Sequence, residues 1–574
     1  MGENSKCVNP KINLISKRED MIEALSHRKI VLLLIGISYL FLMFGNGVIT
    51  LTHPDEVFYA ETAKEMIHQH SWMTPLIFDK PQFEKPILLY WLMILAFKVF
   101  GLTPFAARLA PSVFGILGVL GTYWLAFMFF QNKRTAFISA VVLATSVIYI
   151  ALSRAVLTDM VFSICVTLAL VFFYYGFIKK DRRDLSIVAC FVMSALAVLT
   201  KGILGFLFIF VPILTFLIFA GQLDYFKRYA TLWGILFFVL LSAPWHACML
   251  AKYGKDFVNE YINNVHIRRI FEAEHEQSNT FYFYPMTILA GFFPWSLFLI
   301  PALAKAYKTV RQHPQRNIPF AFLFCWVMTI FLGMQVAHSK LASYIFPVFP
   351  ALAIVIGYYL ESAWAKPQTR SMAVFSYITA GLIALFSFAI IIMGGKYSQY
   401  IPNRTAIYLW AGLFLACAGS IFWFTRTAKF QKSFISMISV SVIVLAGIFL
   451  GHPYAEPWIS CQQVCTALKK IDQSDTTILA SKILVRGVRY YTDRKVAVMD
   501  LSNQGFFSPH PIPMFYDDQS VLAFLQSQPT TVCILKESNA RHLKRMAEGQ
   551  FVITYDESIG GKRLMKLERP APKI

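Results

Sequence analysis

The sequence predicts an α-helical membrane protein with many spans, followed by a small soluble α/β domain. Hydrophobic residues make up 57% of the 574 residues and charged residues only 15%, against roughly 25% charge in a typical soluble domain. Apolar runs of about 20 residues, long enough to cross a bilayer, recur up to about residue 452. Beyond it, short β-rich runs such as TTILAS and KVAVMDL alternate with helical stretches, which indicates a soluble α/β domain.

Thirteen membrane helices are predicted from the apolar runs. The first run is longer than a signal-peptide core and no small-residue cleavage site follows it, so we interpret it as a retained anchor. The membrane domain is predicted over residues 1–452 and the soluble domain over 453–574. The predicted spans are 30–49, 108–130, 135–152, 160–178, 185–200, 202–221, 229–250, 284–304, 317–336, 342–362, 371–394, 405–424 and 433–452.

The basic residues predict the orientation of these spans. With the amino terminus in the cytoplasm, every loop expected on that side is basic, for example Asn132–Arg134 and Lys179–Arg183, as the positive-inside rule requires. The net charge of +21 therefore reflects topology, and nucleic-acid binding is not expected. Two long loops, 50–107 and 251–283, and the C-terminal domain are predicted to face outward.

The cysteines give one open question. Nine are present without a CxxC motif, and five of them lie within apolar runs, where cysteine is typically a small buried hydrophobe. Cys461, Cys465 and Cys533 lie in the soluble domain. The i,i+4 spacing of Cys461 and Cys465 permits a disulfide between them but does not establish one.

The stretch HPDEVFYAETAKEM follows the first span and carries several acids. A helix starting near Asp55 would bring this residue close to Tyr59, which makes Asp55 a candidate catalytic carboxylate and Tyr59 a candidate substrate contact. The alternative is a carboxylate that caps the helix. Glu61 and Glu65 are predicted to be ordinary charges on the helix surface.

Four ionisable residues lie near predicted membrane boundaries. In FDKPQFEKPILLYW, Lys85 is a candidate ligand for a lipid phosphate and Glu84 for a metal or a sugar; the alternative is an interfacial salt bridge. Asp159 begins the fourth span and supplies a second outward-facing carboxylate. Lys201, between the fifth and sixth spans, is either a substrate contact or a lysine that snorkels to the interface.

The second long loop and a short external link add three residues. Arg269 suits bidentate binding of phosphate, and Tyr344 lies on the same predicted side. His266 could bind a divalent metal such as zinc, magnesium or manganese together with Glu84, but two distant residues are not a metal signature. Walker, Rossmann and HExxH motifs are absent, so no nucleotide cofactor is expected.

Several segments together resemble one family. They are HPDEVFYAETAKEM, FEKPILLYWL with FAARL after it, VHIRRI with YFYPMTILAGFFPW, and SKLASYIFPVFPAL. They look like the aminoarabinose transferases of lipid A, within the wider family that includes protein O-mannosyltransferases, over about residues 30–360. The resemblance implies a GT-C-type glycosyltransferase of the bacterial inner membrane that takes its sugar from a polyprenyl-phosphate donor on the periplasmic side and inverts the anomeric centre.

The resemblance also implies roles for individual residues. Asp55 and Asp159 match the acidic pair of the family, Glu84 and Lys85 its EK motif, His266 and Arg269 the histidine and arginine of its second loop, and Tyr344 the tyrosine before its P…P segment. Together with the residues considered above, we expect Asp55 and Asp159 to be catalytic, Lys85 and Arg269 to bind the donor phosphate, Tyr59, Lys201 and Tyr344 to contact substrate, and Glu84 and His266 to be the candidate metal ligands. The sequence departs from the family pattern at Phe58, where an arginine often precedes the tyrosine, and at Val265, where an acid commonly precedes the histidine. These departures leave the sugar and the acceptor open.

The expected partners are a polyprenyl-linked sugar, lipid A and membrane lipids, with the protein as a monomer. One alternative is a related enzyme that transfers a hexose to another glycan or to a protein. Others are a lipid flippase, which would place its site near the membrane midplane and often contain repeats, and a scaffold for envelope assembly. No repeat is visible, and the ionisable residues gather in external loops, which favours an enzyme.

Overall fold

The computed structural model describes residues 21–272, 278–312, 317–364, 370–396, 404–501, 505–506 and 510–570. A helical membrane domain is followed by a soluble domain built on one sheet. Parts of the basic segments that predict the orientation, at 17–18, 313–316 and 366–369, lie outside the described residues.

Nine helices in the described part of the chain are long and apolar enough to cross a membrane. Some of their hydrophobic residues pack against one another and others are exposed on the protein surface, as expected for helices that span a membrane. They are Pro104–Phe130, Thr158–Ile178, Lys180–Lys201, Tyr229–Phe271, Ile318–Val336, Ala342–Trp364, Arg370–Lys396, Arg404–Arg426 and Phe430–Ile459.

The predicted count of thirteen spans is not confirmed. Two further predicted spans are bent pairs of helices, Lys133–Ala144 with Val147–Ser153 (64°) and Phe283–Gly291 with Ser296–Gln312 (117°), which raise the count to eleven if each pair is one span. The last two, 30–49 and 202–221, correspond to His27–Leu42 and Leu204–Ala220, of 16 and 17 residues. Helices of that length are about 25 Å long, shorter than the roughly 30 Å hydrocarbon core.

The predicted external loop 50–107 is mostly structured. It contains the helices Asp55–His68 and Leu88–Phe100 and a short antiparallel pair, β1 (Leu76–Ile77) and β2 (Lys80–Pro81). The first helix is buried from Glu56 to Met66, between the membrane domain and helix Val485–Thr492 of the soluble domain. The prediction that Glu61 and Glu65 are surface charges is therefore wrong, because the soluble domain covers them.

The soluble domain contains a six-stranded mixed sheet in the order β5-β4-β3-β6-β8-β7. Strands β3 to β6 are parallel, and β8 and β7 add antiparallel at one edge. The predicted α/β character is confirmed. The strands are β3 (Ile478–Ser481), β4 (Val496–Met499), β5 (Met514–Phe515), β6 (Thr530–Lys536), β7 (Val552–Ile559) and β8 (Lys562–Glu568), and the helices are Gln462–Ile471, Val485–Thr492, Asp518–Ser527 and Glu537–Ala547.

The boundary between the domains lies slightly beyond the predicted residue 452. Helix Phe430–Ile459 continues through Pro453 and Pro457, and the soluble domain starts with the helix at Gln462. Cys461, Cys465 and Cys533 are all buried free thiols. The disulfide that the spacing of Cys461 and Cys465 permits is therefore not formed in this structure.

Candidate active site

A cavity of about 380 Å³ lies among the ends of several membrane helices. Charged and polar side chains line one part of it, and the rest of its wall is largely apolar and is formed by helices Leu204–Ala220 and Ile318–Val336. Charged groups beside an apolar wall suit a lipid with an anionic head group. Six of the nine predicted site residues line it, namely Glu84, Lys85, Lys201, His266, Arg269 and Tyr344.

Asp159 and Lys201 form a buried ion pair at the wall of this cavity. Asp159 lies in the first turn of helix Thr158–Ile178, where the helix dipole favours a carboxylate, and Lys201 ends the helix that follows it, Arg183–Lys201. Lys201 Nζ lies 2.6 Å from Asp159 Oδ1 and 4.7 Å from the centre of the Tyr344 ring. The pair and the aromatic ring hold each other in place, so Lys201 does not simply snorkel to the interface.

Lys85 and Glu84 lie in the segment before helix Leu88–Phe100. Desolvation, reinforced by the charges of Arg269 and Lys201, lowers the pKa of Lys85 to about 7. Desolvation likewise raises the pKa of Glu84. Burial in the cavity therefore disfavours both charges, and an anion bound beside Lys85 would favour the protonated ammonium.

Arg269 reaches the cavity from the end of an irregular helix. Helix Tyr229–Phe257 is broken at Gly254, where φ is +47°, and continues as a π-helical segment to Arg268, a geometry often found at functional sites. Arg269 Nη1 donates to the Tyr344 hydroxyl over 3.4 Å, and its carbonyl accepts from the Ser339 amide. The segment around residue 340, through Ser339 and Tyr344, thus holds Arg269 at the cavity.

The cavity carries an excess of positive charge. Lys85, Lys201 and Arg269 line it, and two carboxylates oppose them, Glu84 in the lining and Asp159 paired with Lys201. The cations thus outnumber the carboxylates by one. Such a balance attracts an anion, and phosphate is an anion that both Lys and Arg bind well in proteins.

Asp55 and Tyr59 lie beside the cavity rather than in its lining. The helix begins at Asp55 with Pro54 as its N-cap, so Asp55 occupies the first helical position and is exposed. Tyr59 is buried, and its pKa is raised chiefly by burial, with Tyr90, Asp159 and Asp55 adding to the rise. Tyr59 therefore lies within electrostatic reach of both predicted catalytic acids.

Sequence analysis did not identify Glu56, next to Asp55, as the residue that organises this region. Its carboxylate accepts from Arg108 Nε and Nη2 (2.8 and 2.6 Å) and from the amides of Thr52 and Val156 (both 3.0 Å). These bonds, chiefly those from Arg108, hold the pKa of Glu56 below its ordinary value despite its burial. Glu56 thus ties the start of Asp55's helix to the segment that leads into Asp159. Arg108 lies in the FAARL motif quoted above, and this motif is the sequence signal that could have identified the Glu56–Arg108 pair.

The predicted metal ligands fit a divalent ion only in part. Glu84 and His266 both line the cavity, and His266 Nδ1 lies 2.5 Å from the Tyr261 carbonyl, the arrangement that orients many metal-binding histidines. Across the described ranges, however, no group of three or more His, Cys, Asp or Glu is placed to hold a metal. Two side chains would leave most coordination positions to water or substrate oxygens.

Comparison with known families gives matches over most of the chain. The family model for dolichyl-phosphate-mannose-protein mannosyltransferase matches residues 29–254. A protein of Aquifex aeolicus is 30% identical over 356 residues, covering 62% of this chain and 68% of that protein. An undecaprenyl phosphate-alpha-4-amino-4-deoxy-L-arabinose arabinosyl transferase of Erwinia tasmaniensis is 28% identical over 392 residues, covering 65% and 69%. That of Proteus mirabilis, numbered 2, is 27% identical over 378 residues, covering 65% and 66%.

A solved structure matches nearly the whole fold. The crystal structure of ArnT from Cupriavidus metallidurans bound to undecaprenyl phosphate superimposes with a TM-score of 0.76 at 18% identity, covering 94% of this chain and 98% of that one. Its apo form gives 0.74 at 19% identity. At this identity the likeness shows a shared fold that includes the soluble domain. The sequence matches, the family model and the fold together show a GT-C-type membrane glycosyltransferase that is similar to the aminoarabinose transferases.

Proposed function

We propose that the protein transfers a sugar from a polyprenyl-phosphate donor to an acceptor at the outer face of the bacterial inner membrane. The observation that carries this proposal is the cavity in which Lys85 and Arg269 stand beside an apolar wall. The cations suit the phosphate of the donor and the apolar wall suits its lipid chain. The names of the relatives support undecaprenyl phosphate as the carrier and aminoarabinose as the sugar.

In the proposed reaction, Lys85 and Arg269 neutralise the phosphate as it leaves the anomeric carbon. Charge stabilisation aimed at the leaving group is commonly the largest contribution to such catalysis. Asp159, paired with Lys201, would face the positive charge that develops on the sugar. In a direct in-line attack, an acceptor oxygen would bond to the anomeric carbon as the bond between that carbon and the oxygen of the donor phosphate breaks. This attack would invert the configuration at the anomeric carbon and release the polyprenyl phosphate.

The proposed acceptor is a phosphate of lipid A, and Asp55 is the proposed residue on the acceptor side. A phosphate oxygen is already ionised near neutral pH, so Asp55 would orient the acceptor or bind the amino group of the sugar. If the acceptor is a hydroxyl, Asp55 would act as a general base. In this proposal the amino terminus is cytoplasmic, the site and soluble domain are periplasmic, and the protein acts as a monomer.

The test uses purified full-length protein in nanodiscs with undecaprenyl-phosphate aminoarabinose and lipid A. Mass spectrometry should detect lipid A carrying one added aminopentose, and Asp55→Asn should abolish it while the protein stays folded. Near-normal turnover by Asp55→Asn would remove Asp55 from the mechanism. Unmodified lipid A would favour the alternative of a hexose donor with another acceptor. Translocation of a fluorescent polyprenyl phosphate without any transfer would favour a flippase.

A divalent metal held by Glu84 and His266 stays a prediction. Such an ion would add positive charge near the leaving phosphate. Elemental analysis of the purified protein, repeated on Glu84→Gln, would test it. A stoichiometric metal in both proteins, or in neither, would contradict these ligands.

A further inference from the structure

One arginine of the soluble domain reaches the candidate active site. Arg486 lies in helix Val485–Thr492, and its guanidinium carbon is 4.6 Å from the centre of the Phe58 ring. Its Nη2 lies 4.0 Å from Oε1 of Glu84, a residue of the cavity lining. Phe58 follows Asp55 by three positions on the same helix, so Arg486 stands between the proposed acceptor side and the cavity.

The soluble domain fixes the orientation of this side chain. Arg486 Nε and Nη2 lie 3.1 and 2.8 Å from His510 Nε2. Because arginine can only donate, His510 Nε2 accepts and its proton must sit on Nδ1. The His510 ring is itself packed against Phe506, Phe78 and Phe58 at centroid distances of 4.3, 5.5 and 6.3 Å. The guanidinium is therefore held in place before any substrate arrives, which lowers the entropic cost of binding.

The next arginine on this helix, Arg489, differs from Arg486 because carboxylates of the protein itself occupy its guanidinium. Arg489 contacts the carboxylates of Glu61, Glu65 and Asp79 at 3.2, 3.1 and 2.8 Å. Arg486 has one carboxylate, at a distance longer than a hydrogen bond. Within the described residues its Nη1 makes no hydrogen bond, and its side chain retains 14% exposure. The donor capacity of Arg486 is thus only partly used by the protein.

We propose that Arg486 binds the anionic phosphate of the acceptor, so that the soluble domain completes the acceptor side of the active site. The proposal rests on the proposed function. Lys85 and Arg269 serve the donor phosphate within the cavity, whereas Arg486 lies beyond Glu84, next to Phe58 and the turn that carries Asp55. A guanidinium forms two parallel hydrogen bonds with a phosphate, and Phe58 packs against its face without using its donors.

The test compares Arg486→Gln and Arg486→Lys with the control Arg541→Gln in full-length protein in nanodiscs. Arg541 is an exposed arginine of the same domain. Binding is measured without donor, using bisphosphorylated lipid A and its dephosphorylated form, and KM is measured for both substrates. Arg486→Gln should weaken binding of phosphorylated lipid A at least about tenfold, leave the dephosphorylated lipid and the donor KM within about twofold, and match the control in thermal stability. Arg486→Lys keeps the positive charge but cannot form two parallel hydrogen bonds with a phosphate, so it should have an affinity between those of Arg486→Gln and wild type.

The outcomes separate this inference from the proposed function. If wild type binds and modifies lipid A but Arg486→Gln does so equally well, only the role of Arg486 falls. A rise in donor KM instead would assign Arg486 to the donor and overturn the inference. If wild type neither binds nor modifies phosphorylated lipid A, both proposals fall. A variant that is destabilised but binds normally would show a structural arginine and overturn the inference.

Discussion

The molecule buries charge in two places, the interface between its domains and the cavity of the candidate site, and it balances the charge differently in each. At the interface, Arg489 and Lys64 face four carboxylates: those of Glu61 and Glu65, which are buried, and those of Asp79 and Asp493, which are more than half exposed. Burial, aided by the negative charge of Glu65, raises the pKa of Glu61. A proton on Glu61 reduces the excess negative charge, and solvent screens the two exposed carboxylates, so the cluster needs no ligand to compensate its charges.

The cavity has the opposite excess. Lys85, Lys201 and Arg269 outnumber Glu84 and Asp159, and the pKa of Lys85 falls to about 7. Unlike the interface cluster, the cavity has about 380 Å³ of space beside its charges. An anion can therefore supply the missing charge and return the proton to Lys85. The comparison indicates that buried charges with internal balance serve stability, whereas buried charges with room for a ligand serve binding.

The largest expected effect is on the cavity side. Lys85→Ala should reduce the rate of transfer by about 100-fold to 1000-fold, because the positive charge that stabilises the leaving phosphate is lost from a site that is largely shielded from water. Initial rates of transfer to lipid A in nanodiscs measure it, with Lys85→Arg as the matched variant that retains charge. The thermal unfolding temperature should change little. An unchanged rate with a large loss of stability would reverse the roles that the comparison assigns.

Arg489→Met tests the interface side. Removing the arginine leaves Glu61 and Glu65 buried without it, which should destabilise the protein by about 3 kcal/mol. Thermal unfolding and limited proteolysis of the soluble domain measure the loss, with Arg541→Ala as the exposed control. Adding Glu61→Gln and Glu65→Gln to Arg489→Met should recover much of the stability, because no buried carboxylate is then left without its arginine. Failure of this recovery would show that the arginine acts by packing rather than by charge.

The sequence could predict the cavity better than the interface. Apolar runs and local motifs were enough for the membrane fold and for Lys85, Lys201 and Arg269, because ionisable residues at membrane boundaries stand out from their neighbours. Glu61 and Glu65 looked like surface charges because their partner Arg489 lies 424 residues after Glu65. Arg486 was not identified for the same reason, because it lies far along the sequence from Phe58, which it contacts. The predicted count of thirteen spans is not confirmed in the described residues, because hydropathy does not show that a run is bent, as after Ala144 and Gly291, or that it forms a helix of only 16 or 17 residues.

A smaller effect is expected from pH. A bound phosphate should raise the pKa of Lys85 from about 7, so binding takes up a proton at any pH between the free and bound values. By linkage, affinity for undecaprenyl phosphate should be highest below pH 7 and fall by up to about tenfold per pH unit above it. Binding isotherms between pH 6 and 9 measure this. Lys85→Arg should lose this part of the dependence, because arginine keeps its charge throughout; an equal slope in both proteins would contradict it.

The smallest effect is expected for an ion pair at the domain interface that is exposed on one side. Lys64 Nζ lies 2.5 Å from Asp493 Oδ1, but the Asp493 side chain is 63% exposed. An exposed ion pair contributes at most about 1 kcal/mol, and Lys64 keeps its hydrogen bond to the Tyr490 carbonyl. Asp493 has a φ of +60°, which Asn tolerates better than most residues, so Asp493→Asn removes the charge and spares the backbone. We expect a change of about 0.5 kcal/mol or less in the free energy of unfolding. A loss as large as that of Arg489→Met would mean that closeness of opposite charges, not their burial, holds the two domains together.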